Sequence, residues 1–310
     1  MSVSAEVPGF LQVLSDGSVK RFVPEIAPAS TDFSLGYSSK DVTIDPSKPI
    51  TARIFIPNAP PTSSARLPIL AYFHGGGFCI GSTTWLGYHH FLGDFCLASQ
   101  CIVVSVDYRL APENRLPVAY EDCYASLEWL SRVNGTDPWL KRADLSRLFL
   151  SGDSAGANIA HHVAIRALQD PACPVSIAGL MSIHPYFGSE RRTKTESADE
   201  GGRSVGTSDL FWRLSIPEDS DRDYPGCNFE TARMSAGEWQ RFPPVAVHVA
   251  ELDFLKERGV MYAEFLKERG VGEVELVEAK GEQHVYHVFR PKSEATSLLQ
   301  KQMSLFMERF

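Results

Sequence analysis

Five consecutive residues, Gly152-Asp153-Ser154-Ala155-Gly156, constrain this 310-residue chain more than any other feature. A strand-like apolar run, Leu148 to Ser151, precedes them, and a helix-length segment, Ala155 to Leu168, follows. A serine set between strand and helix with glycine two residues away on either side is expected on a sharp, strained turn that tolerates only small neighbours. Such a turn projects the hydroxyl from the sheet edge with a helix N-terminus behind it, which favours developing negative charge. The plainer alternative is a structural strand-to-helix turn; the context favours Ser154 as a nucleophile.

The remaining pattern supplies the sheet that this turn needs. Apolar strand-like runs occur at Leu67 to Phe73, Ile102 to Val106, Leu148 to Ser151, Ile177 to Ile183, Val245 to Val249 and Glu273 to Val277. Helix-length segments, Ala119 to Arg132, Ala155 to Leu168, Phe254 to Arg269 and Ser293 to Glu308, lie between most of them. Strands apolar on both faces and alternating with helices predict an α/β fold with a mostly parallel sheet covered on both sides.

Upstream, Phe10 to Phe22 reads as a hairpin around Asp16-Gly17. Short strands follow at Asp41 to Ile44 and Thr51 to Ile56, and then a proline-rich loop from Pro57 to Pro68. Gly188 to Phe242 breaks the alternation: it is polar, contains Gly201-Gly202 and offers one helix candidate, Asp209 to Leu214. An insertion of this length inside a compact domain reads as a cap. Together with the first forty residues it is expected to cover the carboxyl ends of the strands, so that residues 1–310 form one domain capped by 1–40 and 188–242. Phe-Leu-Lys-Glu-Arg-Gly-Val occurs at 254–260 and again at 265–271. Eleven residues is about three helical turns, so both copies are expected on one helix face, without a repeat architecture.

Composition narrows the partners. A formal net charge of -8 argues against a general nucleic-acid binder, which needs a basic face. No apolar run approaches the roughly 20 residues that span a bilayer, and residues 1–9 lack the basic and apolar regions of a secretory signal. The six cysteines form no CxxC pair, so free thiols and a cytoplasmic location are expected. Oligomeric state is open, with a monomer sufficient.

The chemistry gathers around Ser154. His74-Gly75-Gly76-Gly77 follows the strand ending at Phe73, and glycines allow successive N–H groups to face one point. Gly76 and Gly77, helped by Gly75, with the amide of Ala155, are candidate donors to the oxyanion formed when serine attacks a carbonyl. A phosphate cradle would need a G-x-G-x-x-G register, which Gly75, Gly77 and Gly81 miss. Beyond Ser154 the partners should follow in the order acid, then histidine. Asp253 is preferred to Glu251, which sits closer to its strand, and His284 to His287, which falls one turn later. His284 and His287 would also suit a metal pair, but no third ligand stands nearby in sequence, so no metal is expected. His248 and His161-His162 read as packing or surface residues, and His89-His90 as near enough to the glycine loop for either to touch substrate.

Taken together, His74-Gly-Gly-Gly-Phe78, Tyr108-Arg-Leu-Ala-Pro-Glu113, Pro117-Val-Ala-Tyr-Glu-Asp122, Gly152-Asp-Ser-Ala-Gly-Ala-Asn158, Leu252-Asp253 and His284 resemble the hormone-sensitive-lipase-like family. Within it the chain looks most like the plant carboxylesterases related to the gibberellin receptors. The resemblance implies an eight-stranded α/β-hydrolase sheet, no cofactor, Ser154, Asp253 and His284 as a triad, and supporting roles for Tyr108 to Glu113 and Glu121-Asp122. Two offshoots of that family are non-hydrolytic: in gibberellin receptors the triad histidine is replaced, and in isoflavanone dehydratases the serine is threonine. Both positions keep the catalytic residue here, although Gln283 stands where many relatives have glycine. The expected function is hydrolysis of small to medium uncharged carboxylic esters, ahead of a hormone receptor or a lyase reusing the pocket. Phe211 and Trp212 are candidate pocket residues, with a place in the core of the cap an equal alternative for each.

Overall fold

Strands that are buried along their whole length build the centre of the protein. The computed structural model describes residues 2–58, 66–199 and 202–310. In chain order it contains β1 (Val3–Val7), β2 (Leu11–Leu14), β3 (Val19–Arg21), β4 (Tyr37–Asp45), β5 (Ile50–Pro57) and β6 (Leu67–Phe73). Next come α1 (Leu86–Ser99), β7 (Ile102–Asp107), α2 (Val118–Val133), β8 (Ala143–Asp153), α3 (Ala155–Gln169) and β9 (Ile177–Ile183). The insertion carries α4 (Lys194–Ala198), α5 (Arg203–Ser215) and α6 (Ala236–Gln240), and β10 (Val245–Ala250), α7 (Lys256–Glu268), β11 (Val274–Ala279), α8 (Tyr286–Phe289) and α9 (Glu294–Arg309) complete the chain.

Eight strands form one sheet in the order β11-β10-β9-β8-β6-β7-β5-β4. Only β5 runs against its neighbours. Every residue of β6 and β10 is buried, as a sheet covered on both faces requires. Helices cover it in two sets, α1 packing with α8 and α9, and α2 with α3. The order reverses at β6: the chain leaves it for β7 on one side and returns as β8 on the other. Ligand crevices form at such switch points, outside the carboxyl ends of the strands. Both the glycine loop after β6 and the serine turn after β8 sit there.

Several expectations need correction. Strand β1 pairs with the hairpin to make a three-stranded sheet, and residues 37–40 belong to β4 of the main sheet. Helix α1 has no counterpart among the expected segments, because it has no polar face to mark a period: Tyr88, His89, Phe91, Leu92, Gly93, Phe95 and Cys96 are all buried. Strand β8 starts at Ala143, five residues early. The two heptapeptide copies do not share a helix face. Phe254 and Leu255 still belong to the turn after β10, and Gly270, with φ +86°, lies past the end of α7. Of the proline-rich stretch, Pro57 ends β5 and Leu67 opens β6, while residues 59–65, like Gly201, lie outside the described residues. All six cysteines are unpaired. Among the described residues no helix is long and apolar enough to cross a membrane.

Candidate active site

Ser154 joins β8 to α3 with φ 53° and ψ −118°. A side chain held in that region costs on the order of 1–3 kcal/mol and persists only where its surroundings over-determine it. They do so here: the Ser154 N–H donates to the Ile183 carbonyl at 2.9 Å, and its carbonyl accepts from Tyr186 N–H at 3.1 Å. At Gly156 a Cβ would run into the Phe73 carbonyl, so glycine is what lets α3 start hard against the end of β6.

Three distant segments meet at the hydroxyl. His284 Nε2 lies 3.0 Å from Ser154 Oγ, and His284 Nδ1 lies 2.7 Å from Asp253 Oδ2. Asp253 is in turn fixed by the Leu255 N–H, which donates to Oδ1 at 2.8 Å. Burial works to raise the Asp253 pKa, but the charge and hydrogen bond of His284 outweigh it and hold the carboxyl below its ordinary value. Burial likewise works to lower His284; Asp253, through charge and hydrogen bond, with Asp153 beyond, holds the imidazole above 6.5. A hydroxyl, an imidazole and an ionised carboxylate in this line can pass a proton from oxygen to nitrogen while the carboxylate steadies the cation.

The competing residues are engaged elsewhere. Glu251 follows the end of β10, is exposed, and accepts from Gly281 N–H at 2.8 Å. His287 is a residue of α8, fully buried against Phe91 with ring centroids 4.6 Å apart. His89 is buried against Arg53, and neither it nor His90 reaches the cavity beside Ser154, which removes both as substrate contacts. His161 bonds Tyr262 Oη at 2.9 Å inside the core. Among the described residues the one metal-type cluster joins His184, Asp253 and His284 and leaves out His287, so the pair weighed from the sequence is not brought together as a site. One atom each from His184, Asp253 and His284 come within 4.8 Å of one another, but Asp253 is already paired with His284, and His184 Nδ1 accepts the Val285 N–H.

The glycine loop also needs one correction. The Gly75 N–H donates to Tyr88 Oη at 2.9 Å and to Asp153 Oδ1 at 3.1 Å, so it is spent and drops out as an oxyanion donor. The amides of Gly76, Gly77 and Ala155 have no acceptor among the described residues. Asp153 organises this corner, a part the sequence reading did not give it. It is fully buried, and it accepts from Tyr72 Oη at 2.7 Å and Tyr88 Oη at 2.9 Å. Burial pushes its carboxyl above the ordinary value, against the two hydroxyls. From the other side, Tyr108 Oη donates to the His74 carbonyl at 2.8 Å, and its ring stacks on His74. Arg109 forks onto buried Asp122 at 2.7 and 2.9 Å.

Ser154 and His284 open into a cavity of about 400 Å³. Its walls are largely apolar, with Val7 and Phe10 from the N-terminal sheet, Trp85, Phe211 from α5, and Val288 and Phe289 from α8. Trp212 does not reach it: that ring is buried and stacked on Tyr186 with centroids 4.3 Å apart. Within 188–242 it is α5 that faces the cavity, whereas Phe229, Trp239 and Phe242 pack around Tyr262, His161 and Phe265.

The chain is similar to known proteins in sequence and in fold. A family model described as "alpha/beta hydrolase fold" matches residues 70–288. "Probable carboxylesterase 6" of Arabidopsis thaliana is 37% identical over 91% of this chain and 84% of its own length. "Tuliposide A-converting enzyme b2, amyloplastic" of Tulipa gesneriana is 34% identical over 92% of this chain and 75% of its own. Among solved structures, a thermostable carboxylesterase cloned from a metagenomic library superposes with a TM-score of 0.74 at 27% identity, covering 87% of this chain and 88% of that one. A hyperthermophilic esterase from the archaeon Pyrobaculum calidifontis gives 0.71 at 29%, covering 87% and 83%.

Proposed function

Because the chain belongs to the α/β-hydrolase family, among its plant carboxylesterases, and is a carboxylic ester hydrolase, we propose that it cleaves small to medium uncharged esters through an acyl-enzyme on Ser154. The observation carrying this reading is the line from Ser154 Oγ to His284 Nε2 to Asp253, at 3.0 and 2.7 Å. Ser154 Oγ attacks the acyl carbon while His284 Nε2 takes the hydroxyl proton. The resulting oxyanion is received by the free amides of Gly76, Gly77 and Ala155. Collapse expels the alcohol, which takes the proton back from His284; a water then repeats the cycle on the acyl-enzyme with His284 as base. Asp253 keeps the proton on Nδ1 throughout, so that Nε2 is the basic nitrogen. Every role falls to the chain's own residues, and the mechanism calls on no cofactor or metal.

The largely apolar walls support an uncharged acyl or alcohol group, since most of the lining offers a desolvated charge no partner; Arg203 of α5 also lines the cavity, but it is exposed. We read the whole chain as one hydrolase domain, with the N-terminal sheet and α5 as the cap, because both supply cavity walls opposite the serine. The six unpaired cysteines support a reducing compartment such as the cytoplasm.

A fluorophosphonate tests the chemistry directly. It should add one phosphonyl group per chain, mapped to Ser154, and abolish release of p-nitrophenol from p-nitrophenyl acetate. Label on another residue, or hydrolysis that survives complete labelling, removes Ser154 from the mechanism. The pH profile gives a second check. His284 must be neutral to accept the proton and its imidazole is held above 6.5, so kcat/KM should fall on acidification with a midpoint above 6.5. A midpoint below that value would contradict the coupling to Asp253.

A further inference from the structure

We propose that His184 is a positioning residue for His284, tethering the backbone immediately beyond it; the proposal rests on the triad reading above. His184 is the first residue after β9, and its N–H donates to the His248 carbonyl of β10 at 2.8 Å. It is thereby tied into the sheet rather than to a loop. Its φ is +46°, and that of Val285, next to His284, is +45°. Left-handed backbone is unusual for histidine and a marked, unfavourable outlier for a β-branched residue. One hydrogen bond joins these two strained positions: the Val285 N–H donates to His184 Nδ1 at 3.1 Å.

The bond is the polar anchor on the far side of His284. Before it, the loop is held by Leu252 N–H to the Glu282 carbonyl at 2.9 Å and by Gly281 N–H to Glu251 at 2.8 Å. After it, no other acceptor among the described residues takes the Val285 amide. The His184 ring is 1% exposed and lies against His284, Tyr286 and His287, with centroids 5.8, 5.4 and 5.7 Å away. Burial pushes its pKa well below 6.5, which keeps the ring neutral and Nδ1 free to accept. Accepting at Nδ1 places the ring proton on Nε2, on an imidazole beside the Asp253–His284 pair. Without this tether Val285 can leave the left-handed region and let the triad imidazole swing away from Ser154. Displacement of a reacting group by about 1 Å can cost about a hundredfold in rate.

Two substitutions separate positioning from mere packing. His184→Asn keeps an oxygen acceptor near the place of Nδ1 and tolerates positive φ; His184→Leu fills space with no acceptor. With active sites counted by fluorophosphonate titration, the Leu variant should lose about 10- to 100-fold in kcat per site with KM within about twofold. Its acidic limb should move to lower pH as His284 loosens from Asp253, and the Asn variant should stay within about threefold of the parent. The titratable groups that act on His284 besides His184 are Asp253, Asp153 and His287, all unchanged in both variants. Equal kcat per site in the Leu variant, or an Asn variant as impaired as the Leu one, overturns the proposal. Should the Leu variant not fold, hydrogen exchange in the unaltered protein still decides: the Val285 amide should be protected, and exchange at the rate of a free amide overturns the tether. A parent protein that neither hydrolyses ester nor takes the label would sink the triad reading instead, a distinguishable result.

Discussion

Ser154→Ala is expected to lower kcat/KM for p-nitrophenyl acetate by at least about a thousandfold, with the fold intact. The fold should survive because alanine keeps the Cβ that already tolerates φ 53° in the turn. The hydroxyl it removes makes one bond among the described residues, to His284, and Ser154 as a whole is 7% exposed at the cavity wall. What disappears is the oxygen that contacts the basic imidazole of His284 beside the free amides of Gly76, Gly77 and Ala155. Residual rate from those amides and from substrate binding alone is expected, so activity falls steeply without reaching the uncatalysed level. His284→Ala should cost a comparable factor, and the double variant should be no worse than either single one, because nucleophile and base act as one unit. If the two losses multiplied, the residues would be working independently. A Ser154→Ala protein retaining a tenth of the parent activity would end the serine mechanism outright.

The meeting of Ser154, His284 and Asp253 was legible because the candidate site is encoded locally. Strand, G-x-S-x-G and helix are contiguous, the glycine run follows its strand directly, and acid and histidine come in the chain order that successive strand ends impose. What stayed hidden depends on contacts that no local pattern carries. Asp153 looks like filler within its motif until the buried hydroxyls of Tyr72 and Tyr88 converge on it across two other elements. The same convergence consumes the Gly75 amide, a loss that spacing among three glycines cannot reveal. His184 sits in an apolar run with no motif around it, and its bond to Val285 spans 101 residues. Helix α1 escaped for the opposite reason: helical periodicity is visible only when one face stays wet, and this helix is sandwiched by β5, β7 and α9. The heptapeptide repeat misled because identical residues serve different local roles. Gly259 lies inside α7, close to Val249 of β10, whereas its counterpart Gly270 lies just beyond the helix end with positive φ.

The second large effect concerns stability rather than rate: the protein should lose several kcal/mol of stability on mild acidification, between about pH 6.5 and pH 5. Burial holds the imidazoles of His248 and His287 at pKa values of about 4 and about 3. His161 and His184 are pushed well below 6.5 by the same cause. In the unfolded chain each histidine titrates near 6.5. Below that pH the unfolded state therefore binds protons that the folded state refuses, and stability falls as pH falls. For a group lowered to about 4, the penalty at pH 5 is about 2 kcal/mol. His248 and His287 are 3% and 0% exposed, so solvent does little to soften it. These two alone then remove about 4 kcal/mol from a native stability of about 5–15 kcal/mol, and His161 and His184 add in the same direction. His284, held above 6.5, and Asp153, held above its ordinary carboxyl value, work the other way, but they are outnumbered. Urea titrations at fixed pH steps should show the midpoint dropping steadily from pH 7 to pH 5, with the slope against pH reporting at least two protons taken up on unfolding. His287→Leu should reduce that uptake by about one proton, since it deletes a buried base that the unfolded chain would charge. A midpoint that stays level over this range would mean that water reaches these imidazoles in the folded state, and that the core beneath the triad is looser than their burial implies.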